Sequence, residues 1–364
     1  MTKLSASTRA GLESVVPGGV ATRAADRLRM AHDASHYLLH PGAVITPADA
    51  GQVAALLAYG VRTGTALTFR SGGTSLSGQA VTDGLLVDVR RHFRDLTVLD
   101  DGRRVRVQPG VVLRQVNARL APYGRKLGPD PASESACTVG GVVANNSSGM
   151  TCGTEFNTYR TLESLVLALP SGTVLDTGAP DADARLRAAE PALHAGLLRL
   201  RDRVRGNPDS VRRIRAQYAM KNTMGYGVNA FLDHDDPAGL LTRLVVGSEG
   251  TLAFVASATF RTVPVHRHAA TGLLVFDSWA RRWPPCRRWW PPGRRRSSCS
   301  TPPPCASPSA TRRRTPRCAA WPCARRRVAR RVAGVRPGGA RRPGRGRRTG
   351  AGRPAAERPG AAQR

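Results

Sequence analysis

The sequence predicts an α+β body followed by a disordered, Arg/Pro-rich tail. Three observations predict it. Between Ala43 and Val89, short apolar runs alternate with a stretch of helical period. Two later stretches, 96–110 and 162–177, alternate apolar and polar residues around Asp-Gly and Ser-Gly turns, as antiparallel hairpins do. Near residue 280 the apolar periodicity stops, and arginine, proline and glycine take over.

In chain order, residues 1–29 read as a polar, Ala/Arg-rich lead-in with weak helical character. "AVIT" (43–46) reads as a strand, and Thr46 as the N-cap of a helix with Pro47 in its first turn. Val53, Leu56, Leu57 and Val61 supply that helix with an apolar stripe. "ALTF" (66–69) and "GLLVDV" (84–89) are further strands. After the hairpin turning at Asp101-Gly102, a helix runs from about Val111 to Gly124, whose lack of a Cβ suits a left-handed cap. The second hairpin turns at Ser171-Gly172. Residues 181–219 are largely helical, and 240–264 read as a strand pair joined by "GSEG". No internal repeat is visible.

The formal charge of +31 is unevenly placed: 25 of the 56 basic residues but one of the 25 acidic ones, Glu357, lie in 281–364. The tail therefore carries +24 and the body +7, which makes the body an ordinary, mildly basic globular protein. With 14 Pro and 9 Gly among its 84 residues, the tail can bury little. One reading is a basic arm for nucleic acid or an anionic surface. The other is out-of-frame translation of a GC-rich gene. The abrupt onset after "GLLVF" (272–276), and the absence of Lys, Ile, Phe, Tyr and Asn, favour the second. No run of about 18 apolar residues is present, so no transmembrane segment is expected. No secretory leader is read in the first 30 residues, and only Cys137 and Cys152 fall in the body, which points to a reducing, cytoplasmic location.

Four segments carry chemistry. "FRSGGTSLSGQ" (69–79) follows an apolar strand and exposes consecutive backbone N–H groups and small hydroxyls, the composition of a nest for a diphosphate. It matches neither a Walker A loop nor G-x-G-x-x-G. "LGPDPASESACTVGGVVANNSSGMTCGTEFNTY" (127–159) is too rich in glycine and small hydroxyls for a core, and suits a backbone laid against a flat, bulky ligand. "KNTMGYG" (221–227) offers Lys221 as a cation, and "VVGSEGTLAF" (245–254) is the fourth. His32, His36 and His40 have the spacing of a helical metal face, but Pro41 follows at once and no zincin glutamate is present. The tail cysteines, Cys286 to Cys323, lack iron–sulfur spacing.

In this order, the four segments resemble the FAD-linked oxidoreductases with a PCMH-type, vanillyl-alcohol-oxidase-like flavin domain. The resemblance is to the D-lactate dehydrogenase and glycolate oxidase branch, and within it to bacterial members that combine FAD- and iron–sulfur-binding parts. It covers roughly residues 30–275 and implies a two-subdomain α+β fold, with subdomains at about 30–110 and 111–265 and FAD extended between them. "RSGGTSLSGQ" would be the diphosphate loop, with Ser71, Gly72, Gly73, Thr74, Ser75, Gly78 and Gln79 holding it. Pro131, Ser135, Thr138, Gly140, Gly141, Ser148, Gly149 and Gly153 would line the rest of the flavin. Relatives that attach FAD covalently use a histidine where this chain has Thr74, so the resemblance implies non-covalent FAD.

The implied reaction is oxidation of a small D-2-hydroxy acid, such as D-lactate or glycolate, to the 2-oxo acid, with an unspecified electron acceptor. Lys221 and Asn222 are the candidates for the substrate carboxylate, and no catalytic base is assigned. The family's substrate cap and its "GDGN"-type motif have no counterpart after Leu252. A flavin-binding fragment without turnover is therefore the alternative reading, and an arginine-driven nucleic-acid-associated protein the third. No specific nucleic-acid partner and no metal are expected.

Overall fold

In a computed structural model of the chain, residues 4–266 are described. The expected tail over 281–364 lies outside them, and so does the end of the expected flavin domain at residue 275. The elements are α1 (Ala6–Val15), β1 (Val20–Ala21), α2 (Ala24–Leu28), β2 (Ala43–Ile45), α3 (Ala50–Thr63), β3 (Leu67–Arg70), β4 (Leu85–Asp88), β5 (Leu96–Leu99), β6 (Arg104–Val107), α4 (Leu113–Leu120), β7 (Arg125–Lys126), α5 (Val139–Ala144) and α6 (Thr158–Thr161). They continue with β8 (Leu162–Ala168), β9 (Val174–Asp176), α7 (Ala182–Ala189), α8 (Pro191–Arg205), α9 (Pro208–Tyr218), α10 (Ala230–Asp233), α11 (Pro237–Val245), β10 (Phe254–Arg261) and β11 (Val263–Pro264).

Two sheets organise these elements. The first has the order β1-β2-β4-β3, with β2, β4 and β3 parallel and β1 antiparallel at the edge. β4 is central and buried at all four residues, as a strand covered on both faces must be. The second is antiparallel, β5-β6-β10-β8-β9. A short ribbon pairs β7 with β11.

Two apolar cores meet at the second sheet. Val105, Val107, Leu165, Leu167, Val255 and Phe260 point into one, which α4, α5, α8 and α11 cover. Ala168, Phe254 and Ala256 point into the other, together with Leu85 and Val87 of β4 and Val53 and Leu56 of α3. The period of two along β8 and β10 thus serves both cores with one sheet.

Four sequence expectations change. The lead-in is part of the packed fold: Leu12, Val16 and Val20 are buried in the same core as β2 and β4. The 96–110 hairpin forms, but β5 and β6 pair into the antiparallel sheet through β10, so the sheets divide between Asp88 and Leu96 rather than at about 110. The segment expected as the first strand of a 240–264 pair is helix α11, capped by the Asp236 side chain accepting from the Gly239 N–H at 2.6 Å. Its continuous apolar run is ambiguous between strand and buried helix, and the Asp-Pro start decides for helix.

Finally, α3 begins after Asp49, not Thr46. The Asp49 carboxylate accepts from the Gln52 N–H at 2.8 Å, and the Gln52 side chain accepts from the Ala48 N–H at 2.7 Å. The Thr46 N–H is instead used by Gly19 O at 2.9 Å, which joins the lead-in to the sheet. Asp49→Ala is expected to cost about 1 kcal/mol of unfolding free energy in a urea titration. Thr46→Ala should stay within about 0.5 kcal/mol of the parent.

Candidate functional site

β3 delivers its last residue, Arg70, to the carboxyl edge of the parallel sheet, where the chain turns into the loop 71–79. Arg70 is buried, and its guanidinium donates to the carbonyls of His32 at 2.8 Å, Met30 at 3.3 Å and Ala80 at 3.4 Å. One side chain thereby fastens the 30–34 segment and the far end of the loop to the strand. Gly73, with φ +66°, lies over this guanidinium: a Cβ there would stand 2.7 Å from Arg70 Nη2. Its carbonyl accepts from the Ala34 N–H at 3.0 Å. The glycine requirement at 73 therefore comes from the backbone conformation and the arginine beneath it.

The facing wall is the segment 131–147. A Cβ on Gly72 would meet the Ala136 carbonyl at 2.8 Å, and one on Gly140 would meet the Pro109 ring at 2.5 Å, so both glycines permit backbone-to-backbone packing. The hydroxyls of Ser71 and Thr138 hydrogen-bond across the gap, and Ser71 also donates to Pro109 O at 3.2 Å. Gly141 differs: a Cβ there would meet only Ser71 Cβ, at a comfortable 3.9 Å, so its backbone lines the cleft without being pressed against a neighbour.

The third wall is the 245–255 stretch, held against α5 by Gly247 N–H donating to Val143 O at 3.0 Å and Glu249 N–H donating to Ala144 O at 2.9 Å. Gly247, Glu249 and Gly250 all have positive φ, which makes "GSEG" a sharp turn instead of a strand link. At the floor, the Phe254 ring stacks on Phe69 at 5.1 Å and meets Phe93 edge-on at 5.4 Å.

The three walls enclose a cleft of about 390 Å³, within the usual size of small-molecule sites. Ten of the residues expected to hold a cofactor line it: Ser71, Gly72, Gly73, Thr74, Ser75, Gln79, Pro131, Thr138, Gly140 and Gly141. Five do not. Gly78 instead receives the Tyr37 ring, 2.5 Å from its Cβ position. Ser135 is exposed. Ser148 O accepts from the Asp130 N–H at 2.6 Å, and a Cβ on Gly149 would run into Asp130 O at 2.0 Å. Gly153 sits with φ +58° at the end of that turn.

Lys221 and Asn222 lie outside the cleft lining. Lys221 Nζ donates to Gly149 O, and Asn222 Oδ1 accepts from the Met224 N–H at 3.1 Å. The sequence reading missed Pro109, Asn145, Ser147, Ser248, Glu249 and Phe254, all of which line the cleft. The positive-φ turn at 247–250 was legible only as a glycine-rich link. Among the described residues no group of three His, Cys, Asp or Glu side chains is placed to hold a metal. The 32–40 segment is not helical, so its histidines do not share a helix face.

The cleft suits a ligand that combines a diphosphate with flat rings. Glycine backbone faces it at Gly141, the 71–75 loop offers N–H and hydroxyl groups, and Ser248 Oγ is buried at its wall without a hydrogen-bond partner. The acidic groups in reach are few. Glu249, at the rim, has its carboxyl held above the ordinary value by desolvation. The two body thiols are also held up by burial, Cys137 in the cleft wall and Cys152, beside Asp130, to about 11.

Comparison with known proteins agrees with this chemistry. Residues 41–178 match the FAD binding domain family. D-2-hydroxyglutarate dehydrogenase of Pantoea ananatis is 33% identical over 278 residues, 73% of this chain and 27% of that protein. Glycolate oxidase subunit GlcD of Escherichia coli is 38% identical over 120 residues, 32% of this chain and 24% of that protein. D-lactate dehydrogenase of Archaeoglobus fulgidus is 27% identical over 227 residues, 62% of this chain and 39% of that protein. The chain thus spans about a quarter of the length of the first two. Among solved structures, 6-hydroxy-D-nicotine oxidase of Arthrobacter nicotinovorans overlays with a TM-score of 0.46 at 16% identity, covering 68% of this chain and 43% of that one.

Two outcomes are expected. Gly141→Val puts a side chain into open cleft and should abolish FAD binding, read by flavin fluorescence, with little change in unfolding free energy. Gly140→Val meets Pro109 and should destabilise the fold as well. For Cys152, burial disfavours the thiolate, so the stability it contributes is present below the ordinary 9.0 and lost as pH rises toward 11. The thiolate form of Cys152 is scarce at pH 8. Peptide mapping should therefore show it unalkylated in native protein and alkylated after unfolding.

Proposed function

We propose that this chain, which carries the FAD-binding domain of the FAD-linked oxidoreductases of the D-lactate dehydrogenase and glycolate oxidase branch, is the flavin-holding part of a D-2-hydroxy-acid dehydrogenase. The observation that carries the reading is positional. Two of the three cleft walls, 69–80 and 131–147, fall inside the stretch that matches the FAD binding domain family, and the third folds back onto them from 245–255.

When bound, FAD would supply two-electron redox chemistry. The roles of this chain's residues are binding and orientation. Ser71 to Ser75 and Gln79 are assigned to the diphosphate, with Gly72 and Gly73 letting the loop lie close to the facing backbone. Thr138, Gly140, Gly141 and Pro131 are assigned to the rest of the cofactor, with Ser248 Oγ as a further donor. The Phe69–Phe254 stack gives the cleft an apolar floor. Gly78, Ser135, Ser148, Gly149 and Gly153 are assigned the shape of the surrounding loops instead of direct contact. Lys221 holds the Gly149 carbonyl, and so sets the position of the turn at 149–153.

The relatives named for D-2-hydroxyglutarate, glycolate and D-lactate support reading the substrate as a 2-hydroxy acid. Among the described residues no helix is long and apolar enough to cross a membrane.

Purified protein should be yellow, and acid should release its FAD, because Thr74 offers no anchor for a covalent bond. A folded protein that ignores added FAD overturns the assignment, and flavin retained after denaturation overturns the non-covalent claim. Anaerobic incubation with D-lactate or glycolate should reduce the bound flavin very slowly or not at all, since no counterpart of the substrate cap is seen after Leu252. Stopped-flow bleaching at ordinary enzyme rates would overturn that expectation and show a working substrate side.

A further inference from the structure

Arg70 also lines a second cavity of about 480 Å³, together with Arg29, Met30, Asp88, Arg90 and Arg91. Its walls are the carboxyl ends of the parallel strands β3 and β4 and the chain just after α2. Ligands of open sheets with parallel strands bind outside these ends, where the turns leave a crevice. The charge is one-sided, with four guanidinium groups and one carboxylate.

That carboxylate is already committed. Arg90 grips Asp88 with two bonds, Nε to Oδ1 at 2.9 Å and Nη2 to Oδ2 at 3.0 Å. Among the described residues no acid lies within ion-pair distance of Arg29, Arg70 or Arg91. Arg70 is 7% exposed, its Nε is buried without a hydrogen-bond partner, and its other bonds go to neutral carbonyls. Burial, and then the nearby charge of Arg90, hold its proton less tightly than usual, while Asp33 and Asp88 only partly compensate. A buried charge that is only partly countered is costly. An anion that enters this cavity relieves that cost.

We propose that the Arg29–Arg70–Arg90–Arg91 cavity is an anion site for a phosphoryl group, separate from the flavin cleft and sharing with it only the Arg70 side chain. The planar forks of arginine match the oxygens of a tetrahedral dianion, and two of the four here are held in place, Arg70 by carbonyls and Arg90 by Asp88. Arg29 and Arg91 are exposed and form the mouth, and Arg70 is the inner wall. The site stands whether or not the D-2-hydroxy-acid reading holds, since none of its residues is assigned to substrate or flavin.

The test is thermal unfolding of the full chain, saturated with FAD so that the diphosphate loop is filled. Inorganic phosphate replaces chloride stepwise at constant ionic strength. The midpoint should rise and saturate with phosphate. In Arg29→Gln/Arg91→Gln, which changes only exposed side chains, half-saturation should need at least about tenfold more phosphate. Phosphate and a phosphate monoester such as AMP distinguish a free ion from a phosphorylated metabolite, and a saturable response to either supports the site.

A rise that never saturates is the general effect of an excluded salt and overturns the proposal. An equal response in parent and double variant overturns it too. So does a response that disappears on FAD saturation, because the anion then sits in the diphosphate loop. If the chain takes up no FAD, the comparison of parent and variant still decides the site, and the loss of flavin counts only against the functional reading.

Discussion

The fold rests on the shared antiparallel sheet, in which β10, like its neighbour β8, belongs to two cores. β10 sends Val255 and Phe260 into the core beneath α4, α5 and α11, and Phe254 and Ala256 into the core of the parallel sheet. The register shift between Val255 and Ser257 lets it do both while staying paired to β8. At its first residue, Phe254 touches Phe69 and Phe93, from β3 and from the link between the sheets. Such aromatic contacts add about 0.5–1.5 kcal/mol each beyond area burial. Their consequence for function is geometric: they fix the end of β3, where the 71–79 loop begins, against the start of β10, where the 247–250 turn ends. The cleft is the space these two turns leave.

Arg70 extends that constraint outward. A buried arginine on neutral carbonyls is an expensive way to tie down a loop, and an apolar residue would pack there at lower cost. Its value lies in reach, because one planar group spans the carbonyls of Met30, His32 and Ala80. The same charge stands beside both cavities. The glycine-rich loop can therefore follow an extended path with few side chains of its own to hold it, because the strand below supplies the hydrogen bonds.

Glycines divide into two kinds around the cleft. Gly72, Gly140 and Gly149 are pressed against neighbouring backbone or ring atoms and serve packing. Gly141 and Gly250 are not pressed against a neighbour, and their missing side chain is a feature of the cavity. Both kinds can line the cleft with backbone, but only at the second kind is the place of the missing side chain itself free for a ligand. A sequence motif presents both kinds as the same letter, which is why Gly149 and Gly153 read as flavin contacts although the first is closed off by Asp130.

The sequence by itself determined the class of fold, the parallel strands at 43–89, both hairpins and the two glycine-rich loops, because periodicity and turn chemistry act within a few residues. It also marked most of the cleft lining, since a diphosphate loop and its facing strip are local patterns. Tertiary structure decided what depends on distant partners. The run 240–245 is helix because Asp236 caps it and α7, α8 and α10 pack against it, whereas its apolar letters would fit a buried strand equally well. Leu12 and Val16 looked like part of a polar lead-in until β2 and α3 gave them a core to enter. Ser248 and Phe254 became cleft residues through a strand that crosses from one core to the other. Burial and orientation are properties of the assembled chain, and no window of neighbouring residues contains them.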